Sequence, residues 1–261
     1  MRFTEQQMLR YARHIVLPEI GGVGQARLLD AKVLLIGAGG LGSPLLLYLA
    51  AAGVGTIGIV DHDRVELANL QRQIAHPTAS IGALKTESAL EAARALNPEI
   101  VLIAHQVELG RDNAGALVEG YDLAADGSDN FATRDALHDA CLRLGKPLIS
   151  AAVQGFEGQL STFKAFLGPP HPCYRCLYPE EPPAHLIPSC AQGGILGPAA
   201  GVLGCLQAVE VVKEILHLEG SLSGTLLLYD ALGAELRRIR VPRRSDCPVC
   251  GTFARREAAL G

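Results

Sequence analysis

Short apolar runs bounded by glycine, Asn-Pro and Lys-Pro alternate with stretches of helical period through the first half of the chain. "KVLLIG" leads into a helix from about Leu41 to Ala52, and "TIGIVD" leads through a long loop into a helix from about Leu84 to Leu96. "IVLIAHQV" precedes a helix near Asn113 to Glu119, and "DLAAD" precedes one from about Thr133 to Leu144, after which "PLISA" returns to strand. Continuous apolar strands separated by helices are what a parallel sheet covered on both faces requires. Residues from about 30 to 150 therefore read as a Rossmann-like, doubly wound α/β half.

From about residue 151 the pattern changes. "GQLSTFKAF", "GTLLLYD" and "ELRRIRVP" are short and turn-bounded like antiparallel strands, and "GILGPAAGVLGCLQAVEVVKEILHL" reads as a long helix against the core. The proline-rich "GPPHPCYRCLYPEEPPAHLIPSC" reads as an ordered knot around "CYRC" followed by a mobile connection. No repeat or low-complexity linker separates the halves, so the expectation is a single domain over 1–261, its second half spanning about 151–251.

Composition narrows the class. With 261 residues and 49% hydrophobic content the chain can bury a large core. Its 23 basic and 27 acidic residues leave a net charge of −4 with no long block of one sign, which argues against a nucleic-acid partner. The N-terminus is too charged for a signal peptide, and no apolar run is long enough to span a membrane. Seven cysteines without an export signal favour free thiols in a reducing cytoplasm over a disulfide framework.

"VLLIGAGGLGSP" places Gly37, Gly39, Gly40 and Gly42 between a strand and a helix, the turn that brings backbone N–H groups to a phosphate. Asp61 follows Gly42 by 19 residues at the end of the next strand, where a ribose hydroxyl is met. On these residues alone a nicotinamide or flavin enzyme, such as an NAD-dependent oxidoreductase, leads. Behind them, however, come Asp63, Asn69, Arg72, Gln73 and Lys85, more charge than a pyrophosphate held by backbone requires and better suited to a triphosphate with a divalent metal. Taken singly, Arg72 and Lys85 read as surface charges; as a set they point to phosphate. "DLAADGSDNFATR" adds Asp126, Asp129 and Asn130 at the carboxyl end of the fourth strand, either as a helix cap or as Mg²⁺ ligands.

Two C-x-x-C pairs, Cys173/Cys176 and Cys247/Cys250, stand 70 residues apart. That separation is longer than a zinc ribbon's and leaves both zinc and two redox pairs open. Cys141 and Cys205 read as small buried residues, and His14, His62, His76 and His171 form no ligand spacing.

"GAGGLGS", "DHDRVELANLQRQ", the lysine of "GALKTESA", "GSDNFATR" and the two cysteine pairs resemble, in order and spacing, the ThiF/MoeB/HesA adenylyltransferases, relatives of the ubiquitin-activating enzymes. The resemblance runs from "MLRYARHIVL" to "CPVCG". It implies ATP-dependent adenylation of the C-terminal Gly-Gly carboxylate of a small ubiquitin-like sulfur-carrier protein, in molybdopterin or thiamine biosynthesis. It also implies that Gly40 lies by the nucleotide and Asp61 meets the ribose. Ala68, Asn69, Leu70, Gln71, Arg72 and Lys85 line the ATP, and Asp129 holds Mg²⁺ with Asn130 beside it. Arg13 of "YARHI" enters the site of a second subunit, implying a homodimer.

By the same resemblance, Cys173, Cys176, Cys247 and Cys250 form a structural Zn²⁺ knot. Cys190 aligns with a cysteine that some relatives use in a thio-linked or persulfide intermediate, although adenylation itself requires no thiol. No rhodanese-like stretch follows "CPVCG", so the expected sulfur donor is a separate protein. Asp63 is left as a loop organiser or an aid to metal binding. A scaffold that binds the carrier without activating it is the non-catalytic alternative.

Overall fold

A computed structural model of the chain describes residues 3–180 and 193–251. Eight strands form one sheet in the order β3-β2-β1-β4-β5-β6-β7-β8. The strands are β1 (Lys32–Ile36), β2 (Thr56–Val60), β3 (Val101–His105), β4 (Leu123–Asp126), β5 (Leu148–Gln154), β6 (Glu157–Phe163), β7 (Thr225–Asp230) and β8 (Glu235–Arg240). β1 to β5 pair in parallel, and β5 to β8 pair antiparallel. The change of pattern near residue 151 is thus a change of strand direction within one sheet.

The described helices are α1 (Glu5–Arg10), α2 (Ala12–Ile15), α3 (Gly21–Asp30), α4 (Gly42–Ala52), α5 (Lys85–Leu96), α6 (Ala114–Glu119), α7 (Phe131–Leu144), α8 (Tyr174–Leu177) and α9 (Gly197–Leu216). β1 shows why both faces need cover. Val33 and Leu35 join a core built with Leu45 and Leu49 of α4 and Leu203 and Val211 of α9, while Leu34 and Ile36 join Val118 of α6 and Leu137 of α7. Each fully buried leucine contributes about 2 kcal/mol of transfer free energy, so a continuous apolar strand is the stable solution in this layer.

Local signals set the boundaries. Gly53 closes α4 and Gly145 closes α7, both with left-handed φ. α7 begins at Phe131, two residues before the expected Thr133, because Asn130 accepts the Thr133 N–H at 2.8 Å and caps the helix there. β8 is exposed along its whole length, and Arg237, Arg238 and Arg240 guard that outer edge. Among the described residues no helix is long and apolar enough to cross a membrane.

Candidate functional site

Strand order reverses between β1, whose crossover leads to β2, and β4 on its other side, so the carboxyl ends of β1 and β4 open a crevice of the kind that binds ligands in open α/β sheets. The glycine turn forms its lip. Gly37 has φ +89° and donates its N–H to Val60 O at 2.8 Å. A Cβ on Gly42 would lie 1.9 Å from Gly37 O, so no side chain fits where α4 begins. Gly40 sits under the methylenes of Arg72 and against Ala200 of α9, and α9 itself starts at Gly197 against the Gln71 carbonyl. The C-terminal half therefore buttresses the turn, a contribution that local spacing does not reveal.

Asp61 accepts the Ala38 N–H at 2.8 Å through one carboxylate oxygen and the Asp63 N–H at 2.9 Å through the other. Asp63 in turn holds Lys85: Nζ donates to Oδ2 at 2.7 Å, and the Lys85 N–H donates to the Asp63 carbonyl at 2.9 Å. The Lys85 side chain is 8% exposed and that of Asp63 is 53% exposed. The hydrogen bond from Lys85 holds the Asp63 carboxyl below its ordinary range. Asp63 thus partners the lysine, which gives the loop-organiser reading a specific form.

The segment from Ala68 to Gln73 curls beside the turn. A 3-10 turn spans Leu67–Asn69, and Asn69 Oδ1 accepts the Glu66 N–H at 3.1 Å. Ala68 and Gln71 are exposed, whereas Asn69, Leu70 and Arg72 are half-buried. Arg72 donates to its own segment at Ala68 O, 3.1 Å away. Gln73 is buried with an unpartnered Oε1.

His76 enters the same region unannounced by any ligand spacing. It is buried, with Nε2 2.8 Å from Ala38 O and Nδ1 3.0 Å from Ser88 Oγ. Burial pushes its pKa down. The one cue in the sequence is its position just behind "NLQRQ".

Across the crevice, Asp126 is fully buried and committed to the fold. Its Oδ1 accepts the Ser128 N–H and hydroxyl at 2.9 and 2.6 Å, and its Oδ2 accepts Ser150 Oγ at 2.7 Å. Arg134 donates to Ser128 O at 2.6 Å and so braces the same loop. Asn130 is the cap described above. Asp129 is exposed and has no hydrogen bond or ion pair to a described residue. Arg13 is exposed on α2 and makes no hydrogen bond to the glycine turn.

The second cluster lies under α7. The Sγ atoms of Cys173, Cys176, Cys247 and Cys250 all fall within 4.8 Å of one another, and all four residues are buried. Sγ separations are 3.8 Å for Cys173–Cys176, 3.6 Å for Cys173–Cys247 and 3.5 Å for Cys176–Cys250. Tetrahedral Zn–S bonds of about 2.3 Å put sulfurs roughly 3.8 Å apart, so the residues fit one zinc ion. This geometry disfavours two separate redox pairs, because each Cys-x-x-Cys is interleaved with the other. Arg243 braces the knot by donating to the carbonyls of Ala165, His171 and Cys250, at 2.8, 2.9 and 2.7 Å.

The other cysteines divide. Cys141 is buried and its thiol pushed far upward by burial, which removes it as a nucleophile. Cys205 is half-buried on α9, not buried as expected, because it falls on the flank of that helix. Cys190 lies outside the described residues.

Comparison with known proteins adds three findings. The model of the ThiF family matches residues 11–249. The sequence is 46% identical over 253 residues to the sulfur carrier protein adenylyltransferase of Thermus thermophilus, covering 96% of this chain and 93% of that protein. It is 49% identical to the mouse adenylyltransferase and sulfurtransferase MOCS3 over 95% of this chain, but it spans only about half of that relative, 54%. In three dimensions it is similar to E. coli MccB solved with AMPCPP and MccA, with TM-score 0.81, 24% identity, and coverage of 96% and 75% of the two chains. That likeness shows the fold.

Proposed function

This chain belongs to the ThiF family, and from that premise we propose that it adenylates the C-terminal glycine carboxylate of a small ubiquitin-like sulfur-carrier protein at the expense of ATP. The observation that carries the reading is the chain of contacts from Ala38 through Asp61 and Asp63 to Lys85, with Arg72 packed over Gly40. The acid read as the ribose ligand is there linked through Asp63 to Lys85, and Arg72 stands across the glycine turn, so the cations a triphosphate needs lie beside it.

The carrier's terminal carboxylate oxygen attacks the α-phosphorus. The bond from that phosphorus to its bridging oxygen breaks, and pyrophosphate leaves with the electron pair. A carboxylate is a weak nucleophile toward a polyanion, so alignment and charge neutralisation must lower the barrier. Gly37, Gly39, Gly40 and Gly42 admit the phosphates to backbone N–H groups, and Asp61 has lone pairs left for ribose hydroxyls. Arg72 and Lys85 compensate phosphate charge, and Asn69 contacts the nucleotide through its neutral amide. Asp129, beside Asn130, is the residue that would hold Mg²⁺, which when bound neutralises phosphate charge.

The four cysteines would hold Zn²⁺ in a closed site with no position for water, a structural role. We read residues 1–261 as one adenylyltransferase unit that works as a homodimer, with Arg13 reaching a second copy's nucleotide. A cytoplasmic setting, a separate sulfur donor and a later thio-linked role for Cys190 complete the reading, with molybdopterin or thiamine biosynthesis as the destination.

Rapid acid quench of protein, ATP, Mg²⁺ and a Gly-Gly carrier is the direct test. Mass spectrometry should find the carrier heavier by one adenylyl group, and a carrier lacking its last glycine should stay unmodified. Intact, unmodified carrier from every Gly-Gly protein of the host would reject the proposal.

A further inference from the structure

We infer that His76 is a positioning residue for the nucleotide: it holds the one peptide of the glycine turn that the flanking glycines leave unrestrained. Ala38 lies between Gly37 and Gly39, and glycine gives a backbone the freedom the turn needs while raising the entropy cost of fixing it. Both polar groups of Ala38 are tied. Its N–H donates to Asp61 Oδ2 at 2.8 Å, and its carbonyl accepts from His76 at 2.8 Å.

A carbonyl can only accept, so Nε2 carries the proton and the neutral ring accepts the Ser88 hydroxyl at Nδ1, 3.0 Å away. Ser88 lies on α5 three residues, just under one turn, beyond Lys85. The helix that supplies the phosphate lysine therefore reaches Ala38 by two routes, Lys85–Asp63–Asp61 to its N–H and Ser88–His76 to its carbonyl. Charged groups facing the ring are Lys85 and Asp61, and burial keeps the imidazole neutral. His76 is itself too buried to touch substrate, with 4% exposure, so its effect passes through the peptide it holds.

The inference rests on ATP as the occupant of the crevice, and the side-chain pair Gln/Asn separates it from a bulk packing role. The Gln amide nitrogen can take the place of Nε2, whereas the Asn nitrogen falls near Nδ1. In exchange between pyrophosphate and ATP, His76→Ala should raise the ATP KM about tenfold and leave the carrier KM unchanged, the loss expected for one buried hydrogen bond. His76→Gln should return to within about twofold of wild type, and His76→Asn should not.

Should His76→Ala fail to fold, Ser88→Ala, which only loosens the ring, should still raise the ATP KM by about threefold. Calorimetric ATP affinity of the same proteins decides the matter without the carrier, and ring nitrogen chemical shifts should report the Nε2–H tautomer. Unchanged ATP affinity in all three His76 variants, or an Nδ1–H tautomer, would overturn the inference while leaving adenylation intact. Normal ATP binding with these differences but no carrier adenylation would overturn the proposed reaction alone.

Discussion

In the cysteine knot every ligand atom is buried and faces the others, whereas in the glycine crevice the charges are either exposed, as at Asp129, or already satisfied by a neighbour, as at Asp63 and Lys85. The knot brings four thiols, from residue 173 to residue 250, around one point whose dimensions fit a single zinc ion. The crevice fixes backbone instead: Asp61, His76 and Asp126 spend polar atoms on the loops, and a nucleotide would have to compete with Asp63 for Lys85. A site that must release product cannot be as completed as one that never opens.

This contrast can be broken most severely at the knot. Cys176→Ser should abolish bound zinc and cost about 4 kcal/mol of stability. That corresponds to roughly 10 °C in Tm for a chain of this size, readable by calorimetry. Exchange activity of the protein still folded at low temperature should stay within about threefold of wild type. A selective loss of activity with zinc content and Tm preserved would place chemistry in the knot and dissolve the comparison.

Gly39→Ala probes the crevice more gently. The nearest atom to an added Cβ is Gln73 Nε2 at 3.6 Å, an ordinary contact, so the fold should tolerate it. The methyl would stand where phosphate approaches the backbone, so ATP affinity should fall about tenfold with Tm little changed. Equal ATP affinity would mean that the phosphates lie elsewhere.

Asp63→Asn should have the smallest effect. The carboxyl of Asp63 titrates below its ordinary 3.8 in the folded protein. The stabilisation is therefore fully present above the unfolded value and is lost as pH falls through the lower folded one. Half-exposed as Asp63 is, the pair contributes under about 1 kcal/mol. The Tm difference between wild type and Asp63→Asn should be seen at neutral pH and should close below the folded pKa of Asp63.

The parallel half was legible because its central strands are buried on both faces: "KVLLI" and "TIGIV" admit no amphipathic alternative. The glycine turn and Asp61 were legible because spacing constrains them, whereas the four cysteines were visible only as two separate pairs, and the resemblance to the family, not their spacing, joined them into one cluster. His76, Arg134 and Arg243 were not, since each acts by donating to a backbone carbonyl, for His76 and Arg243 one distant in sequence, and a carbonyl has no letter of its own. Asp63 was visible as a residue but not as a role, because Lys85 reaches it from 22 residues away. The exposure of Cys205 depended on the rotation of α9 against α4, which composition does not set.

Exchange of radiolabelled pyrophosphate into ATP, measured with and without a Gly-Gly carrier, tests the central claim most directly. Wild-type protein should exchange only when carrier and Mg²⁺ are both present, and Asp129→Ala should lower the rate by at least about a hundredfold with the fold intact. Carrier-independent exchange, or an Asp129→Ala protein that exchanges as wild type does, would contradict it.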